Sequence, residues 1–359
     1  MLLQPLRIID ANLNRSSEGL RLLEDVARFI LNDATLSQQL KTIRHDLAEE
    51  TKSLGVKLLS HRDSEHDVGV GKENVIMPDV KQSQQGLLGT ITANAKRVEQ
   101  SLRVIEETAK LPQISPMLNP AKFEQARFTL YTLEQKLISE ILRQDKIKQL
   151  AGLYVILDRQ ALAARNELTI GEQVIQGGAK AIQLRDKQAS KAELLPVAEK
   201  VKHLCHKHSI LFIMNDYLDL ALAVDADGLH IGQKDLPLPI VRHTLPIDKI
   251  VGCSVTTVSQ AIKAQSEGAD YIAVGSIFPT KTKGNAVVVG VDRLKQIRRA
   301  VTSPLVAIGG INEDNIEQVM AAGADSVAVI SAVLTQEDVK KAAQRLVAGM
   351  DTAKRKCQS

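Results

Sequence analysis

Eight short runs rich in β-branched residues constrain this chain more than any other feature. From Gly152 onward they are GLYVILD, AIQLRDK, ILFIMND, GLHIGQ, IVGCSV, YIAVGSIF, LVAIGG and SVAVIS, and nearly all lead into a helix-like stretch. Near-continuous apolar strands separated by helices require a parallel sheet covered on both faces. Eight such units predict an α/β fold of the (β/α)8 TIM barrel type, of the smaller kind, over residues 152–350. A doubly wound open sheet is the alternative; the glycine-rich ends of the last two runs favour the barrel.

Residues 1–143 follow a different rhythm. Apolar residues recur every three or four positions, as in Leu20, Leu23, Ala27, Ile30 and in Phe128, Tyr131, Leu133, Leu137, Ile141, which predicts a mainly α-helical N-terminal domain. Asn119-Pro120 marks a helix start, since proline is tolerated in the first turn. Residues 144–151 are expected to be a linker and residues 351–359 a C-terminal tail.

The helical half contains an echo. ANLNRSSEGLRLLEDVARF, beginning at Ala11, returns as ANAKRVEQSLRVIEETAKL, beginning at Ala93, aligning Asn12 with Asn94, Arg15 with Arg97 and Glu24 with Glu106. At roughly 100° per residue, Arg21, Glu24 and Arg28 share a face opposite Leu23, Ala27 and Ile30; Arg103, Glu106 and Lys110 repeat it. Such pairs are expected on a solvated surface, each contributing tenths of a kcal/mol. The Asn-x-x-Arg pairs sit beside the apolar stripe, where an unpaired polar group is costly. They are expected to cap the connecting loops or, alternatively, to grip a phosphate.

Composition narrows the function classes. The chain has 359 residues, 44% hydrophobic and 25% charged, with no tryptophan and a formal charge of +4, which suits two soluble domains. The small dispersed charge, without stacking aromatics, argues against a nucleic-acid partner and allows anionic small molecules. The absence of a long apolar run or signal-type N-terminus argues against a membrane partner. Three widely spaced cysteines, Cys205, Cys253 and Cys357, argue for a reducing compartment, and a cytoplasmic protein is expected.

A barrel of this type carries its active site at the C-terminal ends of its strands, and here those ends are polar. Alternation in QLRDK places Gln183, Arg185 and Lys187 on one face and Leu184 and Asp186 on the other, an anion site or else an ion-pair cluster around Asp186. Asn215 and Asp216 end the third run, and Asp235 follows the fourth. Magnesium takes one or two carboxylates and completes its shell with water and phosphate oxygens, so Asp216 and Asp235 suggest a diphosphate–Mg2+ site; a helix N-cap is the alternative for Asp216. Ser254 ends the fifth run, and FPTKTKGNA after the sixth suits a phosphate-binding lid or a plain surface loop. Gly309, Gly310 and Ser331 fit the phosphate pocket of strands seven and eight. Cys253 is expected to be a buried small residue, and HLCHKH at 203–208 a solvated helix face.

In this order, QLRDK, ND, GQKD, GCS, PTKTK, AIGGI and VIS resemble the thiamine phosphate synthase family over the whole barrel. The resemblance implies a transferase. It joins 4-amino-2-methyl-5-hydroxymethylpyrimidine diphosphate to 4-methyl-5-(2-phosphoethyl)thiazole, giving thiamine phosphate and pyrophosphate by a dissociative, Mg2+-assisted reaction. It implies that Gln183, Leu184, Arg185, Asp186, Lys187 and Asn215 bind the pyrimidine diphosphate and that Asp216 and Asp235 hold the metal. Ser254 and Lys283 would contact the diphosphate, with Arg185, Lys187, Lys283 and Ser254 as the catalytic residues. Thr280, Lys281, Thr282, Gly309, Gly310, Ile330 and Ser331 would line the thiazole phosphate site. The related thiazole tautomerases share the barrel, but Arg185, Lys187, Asp216, Asp235 and Lys283 favour the synthase over a tautomerase-like or merely thiazole-binding barrel.

The N-terminal half resembles an extra domain of some bacterial synthases, associated with phosphorylating hydroxymethylpyrimidine phosphate. That implies ATP as a partner, for which HRDSEHDVGVGK offers Arg62, Asp63, Asp67 and Lys72. No full Walker motif is present, and GVGKEN at 69–74 is a weak echo of one. An assembly or docking module remains the alternative.

Overall fold

The N-terminal half forms helices where its apolar spacing places them: α1 (Leu3–Asp25), α2 (Ala34–Thr51), α3 (Gly55–Ser60), α4 (Ser83–Ala109) and α5 (Pro120–Gln149). A computed structural model of the protein describes residues 3–62, 83–280 and 287–358, and the chain divides into two compact units, Met1–Leu142 and Arg143–Ser359.

In the first unit, Asp33 caps α2 by accepting from Thr35 N at 2.8 Å and Leu36 N at 2.9 Å, and Asn119 caps α5 by accepting from Ala121 N at 3.0 Å. The echoed helices α1 and α4 pack on each other at Gly19, where a Cβ would meet Val98 Cγ2 at 2.5 Å. Leu20 and Leu23 of α1, with Ala27 in the π-helical turn that follows it (Val26–Ile30), share one core with Val98, Leu102, Ile105 and Ala109 of α4.

The repeated charged face differs from expectation at its glutamates. Glu24 accepts from Arg44 of α2 at 2.9 Å, and Glu106 accepts from Arg127 of α5 at 3.1 Å. Each copy thus uses its glutamate to bind the helix that follows, and Glu106 is 2% exposed, whereas Arg21, Arg28, Arg103 and Lys110 are exposed, as expected of a solvated face. The asparagines do not cap loops: Asn12 Nδ2 donates to Ile8 O and Asn94 Nδ2 to Thr90 O, each at 2.8 Å, back into their own helices. Arg15 and Arg97 are exposed.

In the second unit, the described residues form eight parallel strands: β1 (Leu153–Asp158), β2 (Ala179–Arg185), β3 (Leu211–Asn215), β4 (Gly228–Ile231), β5 (Ile250–Val255), β6 (Tyr271–Gly275), β7 (Leu305–Ile308) and β8 (Ser326–Val329). They close in sequence order, β8 pairing with β1. Alternation sorts the side chains: Val155, Leu157, Ile182 and Leu184 join the core under the helices, whereas Tyr154, Ile156, Ala181 and Ile213 fill the interior.

Two expected boundaries move. Residues 144–149 are helical, and beyond them Leu150 enters the interior core with Ile147 packed against it. Ser326 Oγ donates to Leu150 O at 2.6 Å, Arg143 Nε to Asp270 Oδ1 at 2.7 Å and Lys146 Nζ to Asp248 O at 2.7 Å. The segment expected as a linker therefore seals the N-terminal end of the barrel, because its apolar residues have the interior to fill. The expected tail lies largely within the helix Val339–Gln358.

Candidate active site

At the C-terminal ends, the inward positions of the first five strands are polar: Asp158, Gln183 with Arg185, Asn215, His230 and Ser254. Asp158 is 2% exposed, faces Arg185 across the β1–β2 register and accepts a hydrogen bond from its Nη1. Asp158 also accepts from Gln160 N at 3.1 Å and Ala161 N at 3.2 Å, which fixes the carboxylate that holds Arg185. Leu184 and Asp186 face the other way, as alternation predicts. Leu184 is in the outer core, so only its backbone can reach the mouth. Buried Asp186 accepts from Gln188 N at 2.8 Å, Ala189 N at 3.0 Å and Arg159 Nη1 at 2.9 Å. Burial pushes its carboxyl up, but these donors together hold it below the ordinary range. The ion pairs at this edge are therefore Arg185–Asp158 and Arg159–Asp186, rather than a cluster of Arg185 and Lys187 around Asp186.

Lys187 lies beyond β2 and reaches β3, its Nζ 3.3 Å from Asp216 Oδ2. Asp216 does not cap a helix, because the helix Leu218–Ala223 begins after Tyr217, which makes no side-chain cap bond. Its backbone is left-handed, with φ 61, and its N–H donates to His230 O at 2.9 Å. Aspartate tolerates this region better than most residues, and such conformers gather at functional sites. Burial and the adjacent Asp235 carboxylate push the Asp216 carboxyl above its ordinary value, and Lys187 partly offsets this. Asp235 is exposed and accepts from Gly232 N at 2.7 Å. Two carboxylates this close repel each other, and a divalent cation between them would relieve that repulsion. Among the described residues no group of three or more His, Cys, Asp or Glu side chains is placed to hold a metal. The donor set is two carboxylates beside an open mouth, which suits magnesium with its remaining positions on water and phosphate.

Across the mouth, Gly309 and Gly310 have φ of +100 and +66, and a Cβ on Gly310 would meet Pro279 O at 2.5 Å. Only glycine fits where these two loops meet. Asn315 Nδ2 donates to Gly310 O at 3.0 Å and holds the turn. Half-buried Ile330 and exposed Ser331 follow β8, and half-buried Thr280 follows β6. Lys281, Thr282 and Lys283 lie outside the described residues, as do Asp63, Asp67 and Lys72 of the first unit. Arg62 is described: its Nε and Nη2 each donate to Asp10 at 2.8 Å.

Sequence reasoning missed a buried polar chain beneath the mouth. Gln183 Nε2 donates to Tyr154 OH at 2.8 Å, Tyr154 OH and Tyr271 OH are 3.1 Å apart, Tyr271 OH is 3.1 Å from His230 Nδ1, and His230 Nε2 is 2.8 Å from Ser254 Oγ. One signal was available: His230 interrupts the apolar run GLHIG at an inward position. Cys253 and Cys205 are buried, with thiols pushed by burial up to about 11 and about 12, so neither is a nucleophile. His203 and His206 are exposed, as expected of a solvated face. No described helix is long and apolar enough to cross a membrane.

The family model for thiamine monophosphate synthase matches residues 153–333, and that for the ThiD2 family matches residues 7–136. A thiamine-phosphate synthase of Synechocystis sp. is 39% identical over 347 residues, covering 95% of this chain and 95% of its own. One from Clostridium tetani is 47% identical over 194 residues, covering 54% of this chain and 93% of its own. The solved thiamine phosphate pyrophosphorylase of Pyrococcus furiosus is 39% identical, with a TM-score of 0.54, and covers 58% of this chain and 98% of its own.

Proposed function

The chain belongs to the thiamine monophosphate synthase family, and we propose that its barrel mouth joins the pyrimidine diphosphate to the thiazole phosphate by expelling pyrophosphate first. The enzyme is a transferase of the pyrimidinylmethyl group, working in the cytoplasm on small phosphorylated substrates. The methylene C–O bond breaks, its electron pair leaves with the diphosphate, and the thiazole nitrogen then supplies the pair for the new C–N bond. No protein nucleophile is needed, which suits a mouth that offers charges and hydrogen-bond donors instead.

Asp216 and Asp235 would hold Mg2+, which when bound supplies positive charge against the leaving diphosphate. Arg185 and Lys187 add cationic donors on the same side, and Ser254 adds a hydroxyl donor. Arg185 is pre-oriented by Asp158, so little reorganisation is required as charge develops. Gly310 and Ser331 on the opposite side, with Thr280, suit the thiazole phosphate.

The observation that carries this reading is the meeting of Lys187, Asp216 and Asp235 at the ends of β2, β3 and β4. The test is thiamine phosphate formation from the two substrates with Mg2+. Asp216→Ala should abolish it, and near-normal formation by that variant without added metal overturns the magnesium assignment.

A second activity is proposed for residues 1–142: phosphorylation of hydroxymethylpyrimidine phosphate to the barrel's diphosphate substrate. The match of residues 7–136 to the ThiD2 family supports it. Full-length Asp216→Ala, given ATP, Mg2+ and the pyrimidine monophosphate, should accumulate the diphosphate. A folded variant that makes none points to an assembly module instead.

A further inference from the structure

The buried chain below the mouth has two ends with different duties. Gln183 sits at one end, on β2, and Ser254 at the other, on β5, with Tyr154, Tyr271 and His230 between them. Gln183, Tyr154 and Tyr271 are 2%, 1% and 0% exposed, so bulk water does not compete for these hydrogen bonds. Burial also pushes both phenols well above their ordinary range, so each tyrosine carries one hydrogen and donates one bond.

Those single hydrogens give the chain a direction. A Ser254 hydroxyl that donates to an anion cannot also donate to His230. His230 Nε2 must then carry the hydrogen, and Nδ1 must accept. Tyr271 has to donate to Nδ1, so its oxygen accepts from Tyr154. Tyr154 oxygen accepts in turn from the Gln183 amide N–H, the one donor in the chain that cannot reverse without turning the amide over.

We infer that Gln183, Tyr154, Tyr271, His230 and Ser254 form a one-way hydrogen-bond relay that fixes His230 as the neutral Nε2–H tautomer and leaves the Ser254 hydroxyl hydrogen for the substrate diphosphate. His230 is thus a positioning residue: it acts through Ser254 and does not touch the reacting atoms. The inference rests on the assignment of Ser254 to the diphosphate. Its consequence is that the polar floor of the barrel, far from being inert filling, sets which way a mouth hydroxyl points.

Two measurements test it on the full-length enzyme. In 15N spectra of the histidine-labelled protein with Mg2+ and inorganic pyrophosphate, the His230 ring should be neutral with its hydrogen on Nε2. A hydrogen on Nδ1, or on both nitrogens, overturns the relay. In turnover, Ser254→Ala and His230→Leu should each lower kcat by about 10- to 100-fold, and the double variant should lose no more than the worse single one. His230→Gln, whose amide N–H reaches the Nε2 position, should recover most of the loss. Should His230→Leu fail to fold, Tyr271→Phe replaces it in the same cycle. Losses that multiply overturn the relay alone; an unchanged kcat in Ser254→Ala overturns the diphosphate assignment together with it.

Discussion

A methyl group on Gly252 would lie 1.9 Å from Cζ of Tyr271, so the tyrosine ring occupies the space a side chain on β5 would need. Gly252 faces His230 on β4 and Tyr271 on β6 in the strand register. The missing side chain is what lets the Tyr271 phenol reach His230 across the interior. Gly252→Ala should therefore cost about 1–3 kcal/mol by overpacking, and it should lower kcat because Tyr271 must move. Urea melts and steady-state turnover check the two effects separately.

Asp216→Asn should raise the melting temperature of metal-free protein at neutral pH while abolishing turnover. The folded-state pKa of Asp216 is raised by burial and by Asp235. A raised carboxylate favours the fold while it is protonated, and that advantage is lost as pH rises through its folded value. The neutral amide keeps the advantage at all pH values. The gain in melting temperature should therefore vanish as the pH is lowered, which a series of thermal melts in chelator reveals.

Glu106→Ala should destabilise the helical unit by about 2–3 kcal/mol, because it leaves Arg127 without its carboxylate; Arg127 Nε already lacks a partner. Arg103→Ala, on a side chain 53% exposed, should cost under about 0.5 kcal/mol. Burial pushes the Glu106 carboxyl up, but Arg127, Lys110 and Arg103 outweigh it and hold the group low. Its contribution is present above the unfolded carboxylate range and is lost as pH falls through the folded value. Denaturant melts of both variants at neutral and acid pH separate the two roles.

At the opposite end of the barrel from the chemistry, Asp270 accepts from Arg143 Nε at 2.7 Å, Arg242 Nη1 at 2.8 Å and Val251 N at 2.7 Å. Asp270→Ala leaves the buried Arg143 and the half-buried Arg242 short of a carboxylate and should cost about 3–5 kcal/mol. The kcat of the fraction that stays folded should be unchanged, as expected for the N-terminal face of a barrel. Equal losses of kcat and stability would contradict that separation.

The barrel and its mouth were legible because both depend on local pattern. An apolar run that stops on Asn215 and Asp216, or on Gly309 and Gly310, announces a strand end whatever surrounds it. Asp158 and His230 were not legible in the same way. Each is a polar residue inside or ending an apolar run, and only barrel closure brings it to Arg185 or to Ser254. The helical echo shows the same limit. Arg103, Glu106 and Lys110 have the spacing of a solvated face, and Arg127, which makes Glu106 an inter-helix anchor, belongs to a different helix. The Asn12 and Asn94 side chains were expected to serve the loops, yet each finds an acceptor one turn back in its own helix. Residues 144–151 looked like a linker because their charges dominate the pattern, while Ile147 and Leu150 do the packing.

That last segment governs how the barrel could be cut free. A fragment starting at Gly152, the first residue of the strand pattern, would lack Leu150 and Ile147 and would expose Tyr154, Leu211 and Ile250 at the open end. It would also strand Asp270 and Ser326 without Arg143 and the Leu150 carbonyl. The shortest barrel that keeps its stopper begins at Arg143, inside a helix, so a terminus chosen from family boundaries alone would produce an uncorked cylinder prone to aggregate.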